Sequence, residues 1–240
     1  MPSISFRSVT MEIGSGSARR RLLDDLSWHI PAGSRYVILG QPGSGKSTLL
    51  DLISGARIPT GGWVERHALV TRRSLMGLVS SMTSPRKLIR ILCNVYNASD
   101  DEVGNFVENF AEIEGMMDMP FKALPRQSRD RLAIGLFYGF PCDFYLFDER
   151  FKARNLRMKD KVDEAFLQRG RTAGMILATS NTRYVKEFGG TAGILYRGQL
   201  CFFDDVDEAI ATFEQLPVDQ PLPFLGLPPT PSSEDEEDEI

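Results

Sequence analysis

Short apolar runs alternate with helix-spaced apolar stripes along this chain, and their order predicts a fold. Stretches of strand length occur at Ser3 to Val9, Leu26 to Ile30, Arg35 to Leu39, Asp143 to Glu149 and Ala173 to Thr179, each bounded by glycine, proline or charge. Turn then strand is expected at Ile58 to Glu65, a short strand at Leu75 to Val79, and a hairpin over Ala192 to Phe203 that turns at Arg197-Gly198. Helical spacing covers Pro85 to Tyr96, Arg126 to Tyr138, Lys159 to Gln168, Arg183 to Phe188 and Val206 to Leu216. One further helix opens on the capping sequence Ser99-Asp-Asp-Glu102 and carries Val103, Phe106, Val107, Phe110 and Ile113 on one face, an internal packing stripe.

The first two strands, with a basic loop Ala18-Arg-Arg-Arg21 between them, suggest an antiparallel flank, and Pro31-Ala-Gly33 turns the chain into the next strand. The loop reads as solvated, with an approach of its arginines to phosphate as the alternative. Strands separated by helices then imply an α/β fold with a mainly parallel sheet and ligands at the strand C-termini. With 240 residues and 42% hydrophobic content, the chain can bury one such domain. The expected extents are 1–216 for the domain, with a helical subdomain at about 84–138.

Beyond Leu216, six prolines and the acidic run Glu234 to Glu239 predict a disordered tail over 217–240. That run holds much of the acidity behind the net charge of −4, and nothing in the remainder suggests a nucleic-acid partner. Cys93, Cys142 and Cys201 lie far apart among apolar neighbours, which points to buried free thiols in a reducing compartment. With only His29 and His67 besides, no zinc constellation is assembled. The N-terminus lacks the pattern of a signal peptide and no apolar run reaches membrane-span length, so a cytosolic location is expected, with any membrane role passing through a partner.

The stretch Arg35-Tyr-Val-Ile-Leu-Gly-Gln-Pro-Gly-Ser-Gly-Lys-Ser-Thr48 changes this picture from fold to chemistry. It contains the P-loop pattern as Gly40 to Ser47, between a predicted strand and a predicted helix. Glycines there let successive backbone N–H groups converge on an anion, and the helix N-terminus adds its dipole. Gly40, Gln41, Pro42, Gly43, Ser44, Gly45, Lys46, Ser47 and Thr48 are therefore the candidate binding residues for a nucleoside triphosphate. Lys46 is placed to reach the outer phosphates and Ser47 to hold Mg²⁺. A P-loop does not by itself activate water. Asp148 and Glu149, at the end of an apolar strand about a hundred residues later, fit a second Mg²⁺ ligand and a catalytic general base.

Taken together, residues 3 to 210 resemble the ATP-binding subunits of ABC transporters, of the capsular polysaccharide exporter type. The resemblance rests on Gly40 to Leu50 with Ile53-Ser-Gly55, on Glu108-Asn-Phe-Ala-Glu112 and Met117 to Lys122, on Arg129 to Leu136, on Phe144 to Glu149, and on Val185 to Phe188. It implies a dimer of nucleotide-binding subunits, an integral-membrane permease as partner, and a peripheral position on the inner face of the cell membrane. It also exposes departures. Leu124-Pro-Arg-Gln-Ser128 lacks the glycines of the family's signature, and bulk at Arg126 and Gln127 hinders close backbone approach. Ser180 falls where the family has a histidine, Ile13 where it has an aromatic for the adenine, and Asn155 where it has an aspartate. No glutamine lies between Gln41 and Gln127, where the family's nucleotide-reporting loop carries one.

Three readings follow. The first is the ATPase subunit of a polysaccharide exporter with weakened hydrolysis, and the second a degenerate ATP-binding module with a regulatory or structural role. The third, a small-molecule kinase with Arg126, Arg129 and Arg131 as its lid, places those arginines where the resemblance has the signature helix.

Overall fold

The computed structural model describes residues 1–14, 20–71, 81–149 and 158–217. An antiparallel sheet of three strands opens the chain: β1 (Ser3–Ile13), β2 (Arg20–Pro31) and β4 (Gly61–Arg66), ordered β2-β1-β4. Both β1 and β2 run further than their apolar patterns predict. Arg20 and Arg21, read as loop, are the first residues of β2. The reason lies in the ladder. Register shifts between Phe6 and Val9 and again beyond it, with Ser8 and Asp25 at positive φ, break the period of two that marks a strand in sequence.

The second sheet has the order β5-β6-β3-β7-β8, from β3 (Arg35–Leu39), β5 (Phe144–Asp148), β6 (Gly174–Thr179), β7 (Thr191–Tyr196) and β8 (Gln199–Phe203). The first four are parallel, and β8 returns antiparallel from β7 through the Arg197-Gly198 turn. The three strands that bear the site are apolar almost throughout because both sheet faces are covered. Alternation still divides them. Ile38, Leu146, Ile176 and Ala178 face a core shared with the antiparallel sheet and α1 (Lys46–Ile53). Val37, Leu39, Tyr145, Phe147, Met175 and Leu177 face the core formed with the remaining helices.

Those helices are α2 (Pro85–Tyr96), α3 (Asp100–Ala111), α4 (Arg126–Gly139), α5 (Lys159–Arg169), α6 (Arg183–Phe188) and α7 (Val206–Gln215). Ser84 and Ser99 cap α2 and α3 by accepting from Lys87 and Glu102 amides, and the predicted stripe of α3 is buried at Val103, Val107 and Phe110. Helix α4 lies so close to α3 that a Cβ on Gly139 would sit 3.1 Å from the Val107 side chain. Glu112, just past α3, accepts from Arg131 of α4 and, at 2.9 Å, from Lys161 of α5, and so ties three helices together. The strand expected at Leu75 to Val79 lies outside the described residues, as does the tail beyond Pro217. Among the described residues no helix is long and apolar enough to cross a membrane.

Two of the three cysteines are buried and all are free. Burial pushes the Cys93 thiol up to about 11 and the Cys142 thiol up to about 12. Cys201 departs from the expectation: it is only half-buried, on the hairpin strand β8, although burial raises its pKa as well.

Candidate nucleotide-binding site

The sheet order decides what meets what. Strands β5, β6 and β3 lie side by side and parallel, so their C-terminal residues emerge together at one edge. Asp148 and Glu149 leave β5, Ser180 leaves β6, and Gly40 leaves β3. The loop ends are pinned to the middle strand: Gly40 donates its N–H to the Thr179 carbonyl at 3.2 Å, and Glu149 its own to Ala178 at 2.7 Å. The predicted phosphate loop and acid pair therefore meet, on either side of β6.

Two glycines show why the loop closes as it does. A Cβ on Gly40 would lie 2.5 Å from Ser44 Oγ and 3.0 Å from the Leu195 carbonyl, so only glycine fits. Gly45 caps α1 in the left-handed region, with φ 106° and no side-chain capping bond, which leaves the first amides of the helix to the loop's interior. Lys46 is only 5% exposed although charged. Its Nζ donates to the carbonyls of Gly40 at 2.7 Å and Gln41 at 3.0 Å, and lies 3.5 Å from Glu149 Oε1. A buried ammonium held by two neutral carbonyls and one longer carboxylate contact is well suited to an anion. Ser44 Oγ is buried in the same loop with no hydrogen-bond partner, a polar atom a bound phosphate would satisfy.

Ser47 is exposed at the start of α1, and its hydroxyl donates to Asp148 Oδ2 at 3.1 Å. That pair of oxygens, from two different elements, suits a hard divalent cation such as Mg²⁺. Glu149 stands at φ 57°, a backbone conformation uncommon outside glycine, and its carboxylate is fixed from the neighbouring strand. Its Oε2 accepts from the Ser180 hydroxyl at 3.1 Å and from the Ser180 N–H at 3.4 Å. The predicted residues do not all face the cradle. Gln41 donates its side-chain amide to the Leu216 carbonyl at 3.4 Å, Pro42 is exposed, and Thr48 lies half-buried in the first turn of α1.

Two supports carry little or no signal in the sequence. Thr71 is buried beside β5, where its N–H donates to Phe144 and its hydroxyl accepts from the Leu146 N–H at 2.9 Å, which holds the strand bearing Asp148. No motif announces it. Arg20 reaches the phosphate loop, donating from Nη2 to the Gly43 carbonyl at 3.1 Å, and the only sequence signal was its place in a basic run.

The altered signature is also visible. Pro125 stands at the N-cap of α4 without a side-chain capping bond, Arg126 and Gln127 are exposed, and Ser128 is buried. Arg129 lies over the Phe121 ring and Arg131 pairs with Glu112, so two of the three arginines of a kinase lid serve the packing of the helices instead. The position of Asn155 lies outside the described residues, and so do residues 72–80 of the segment that lacks a glutamine.

The model of the ABC transporter family matches residues 23–152. The capsule polysaccharide export ATP-binding protein CtrD of Neisseria meningitidis is 29% identical over 215 residues, 89% of this chain and 100% of the relative. The polysialic acid transport ATP-binding protein KpsT of Escherichia coli is 30% identical over 88% of this chain and 99% of its own length. Among solved structures, an ATP-binding subunit of an ABC transporter superposes with a TM-score of 0.69 at 15% identity, over 88% of this chain and 99% of its own. The family model alone spans more than half of the sequence and the two relatives are matched almost end to end, so this chain belongs to the ABC transporter family as an ATP-binding subunit, with the activity class of an ATP hydrolase.

Proposed function

We propose that this chain is the energising ATPase subunit of an exporter of capsular or related cell-surface polysaccharide. In this reading it pairs with a second nucleotide-binding subunit and acts on an integral-membrane permease from the inner face of the membrane. The names of CtrD and KpsT support the cargo class, since both relatives run the length of this chain. The convergence of Lys46, Ser47, Asp148 and Glu149 at one sheet edge carries the chemistry.

In the proposed mechanism the amides of Gly43 to Ser47 and the Lys46 ammonium bind the outer phosphates of ATP. Lys46 turns from the carbonyls of Gly40 and Gln41 to do so, and its hold on Glu149 loosens. Ser47 and Asp148 would hold Mg²⁺, which when bound neutralises charge developing on the phosphoryl oxygens. Glu149, freed on one oxygen and still gripped by Ser180 on the other, orients the attacking water and takes its proton.

A second reading is favoured by one observation. The exposed Arg126 and Gln127 at the start of α4 stand where the resemblance expects glycine, which supports an ATP-binding module of low turnover. Steady-state hydrolysis by the purified protein and by Glu149→Gln separates the two. The motor reading expects turnover to fall by about 10²- to 10⁴-fold with ATP affinity kept. Turnover unaffected by the substitution would favour the module.

A further inference from the structure

The phosphate loop has a second cation at its rim, on a strand that the fold lays over it. Where a Gly45 Cβ would be, β2 approaches to 3.2 Å with the Leu22 carbonyl and 3.4 Å with the Leu22 Cβ. Arg20 lies two residues upstream of Leu22 on the same strand. Its guanidinium crosses to the far end of the loop, with Nη2 donating to the Gly43 carbonyl at 3.1 Å and Nη1 3.9 Å from where a Gly43 Cβ would be. Arg21, the next residue, contrasts with it. That guanidinium is bound to Glu12 at 3.2 Å and Asp24 at 2.8 Å, well suited to a structural role. Of two adjacent arginines, one is neutralised by carboxylates and the other rests on a neutral carbonyl beside amides arranged for an anion.

We infer that Arg20 is a ligand of the nucleotide's phosphate chain, gripping it from the outer rim while Lys46 grips it from within. The guanidinium carries five donors in a planar fork, so one N–H can stay on Gly43 while others take phosphate oxygens. A charged acceptor rewards the side chain more than the carbonyl does. Across the β1–β2 ladder Arg20 stands opposite Ile13, an aliphatic residue with no ring to offer a base. The strand end therefore recognises charge, and the ligand class is a polyphosphate. The inference rests on the nucleotide-binding reading of the loop.

Calorimetric titration of the full chain with Mg·ATP and with inorganic triphosphate tests both and keeps them apart. Arg20→Ala is expected to weaken both ligands by about tenfold, the loss typical of one charge-assisted hydrogen bond. Arg20→Lys should recover part of that loss, Arg20→Glu should exceed it, and Arg21→Ala should bind as the unaltered protein does. Unchanged affinities in Arg20→Ala and Arg20→Glu would overturn the inference. So would a loss confined to ATP, which would make the contact one with base or sugar. Failure of Lys46→Ala to weaken either ligand would instead remove the nucleotide reading on which the inference stands.

Discussion

The edge of the parallel sheet and the start of α4 make opposite use of their backbones. At the sheet edge, glycines at 40 and 45 let main-chain amides and a buried lysine close around an anion, with two carboxylates alongside. At the start of α4, proline, arginine and glutamine crowd the first turn, and the arginines further along are committed to Phe121 and Glu112. One region is built for close approach by phosphate, and the other keeps its distance. Under the proposed function the difference makes binding and turnover separable, because they would depend on parts of the chain that pack in different places.

The largest expected effect, the collapse of turnover in Glu149→Gln, would show the sheet edge to be chemically complete. A smaller gain should come from the other side. Replacing Arg126 and Gln127 together by glycine is expected to raise ATP turnover by roughly tenfold, since one recovered electrostatic contact in a transition state is worth at least that. An unchanged rate would mean that the start of α4 does not limit hydrolysis, and the comparison would lose its point. Ser180→Ala, which leaves Oε2 of Glu149 only the longer bond from the residue-180 N–H, should lower kcat by about tenfold or less and leave KM for ATP alone, with Ser180→Thr restoring the rate. A rise in KM with kcat unchanged would put Ser180 in binding and not in the support of Glu149.

The smallest effect concerns the joint between the helices and the sheet. Lys161, and then Arg131, hold the Glu112 carboxyl below its ordinary value of 4.5. A folded-state pKa that is depressed stabilises only while the group is ionised, so the contribution is present above the ordinary value and lost as pH falls through the folded one. The melting-temperature gap between the protein and Glu112→Gln should therefore be small near neutrality and close as the pH drops below about 4.5. A gap that widens on acidification would contradict the assignment.

Much of this was legible from sequence for physical reasons. Strands β3, β5 and β6 are buried on both faces and bounded by turn residues, so their apolar runs stand out, and Ser99 and the Arg197-Gly198 turn carry local chemistry. The candidate site was readable as far as it is local: the loop Gly40 to Ser47, and the acids at the end of a strand. What could not be read is set by register. Ser180 meets Glu149 only because β6 inserts between β5 and β3, an order that the sequence does not print. Arg20 reads as loop because bulges interrupt the alternation of β1 and β2, and Thr71 gives no signal because a single buried threonine has no pattern.

The central claim is that the chain holds a triphosphate through the main-chain cradle around Lys46, and thermal unfolding with and without Mg·ATP tests it most directly. At ATP about a hundred times its dissociation constant, stabilisation of about 2.7 kcal/mol is expected for the unaltered protein and none for Lys46→Ala. Equal protection of both proteins by ATP would contradict the account.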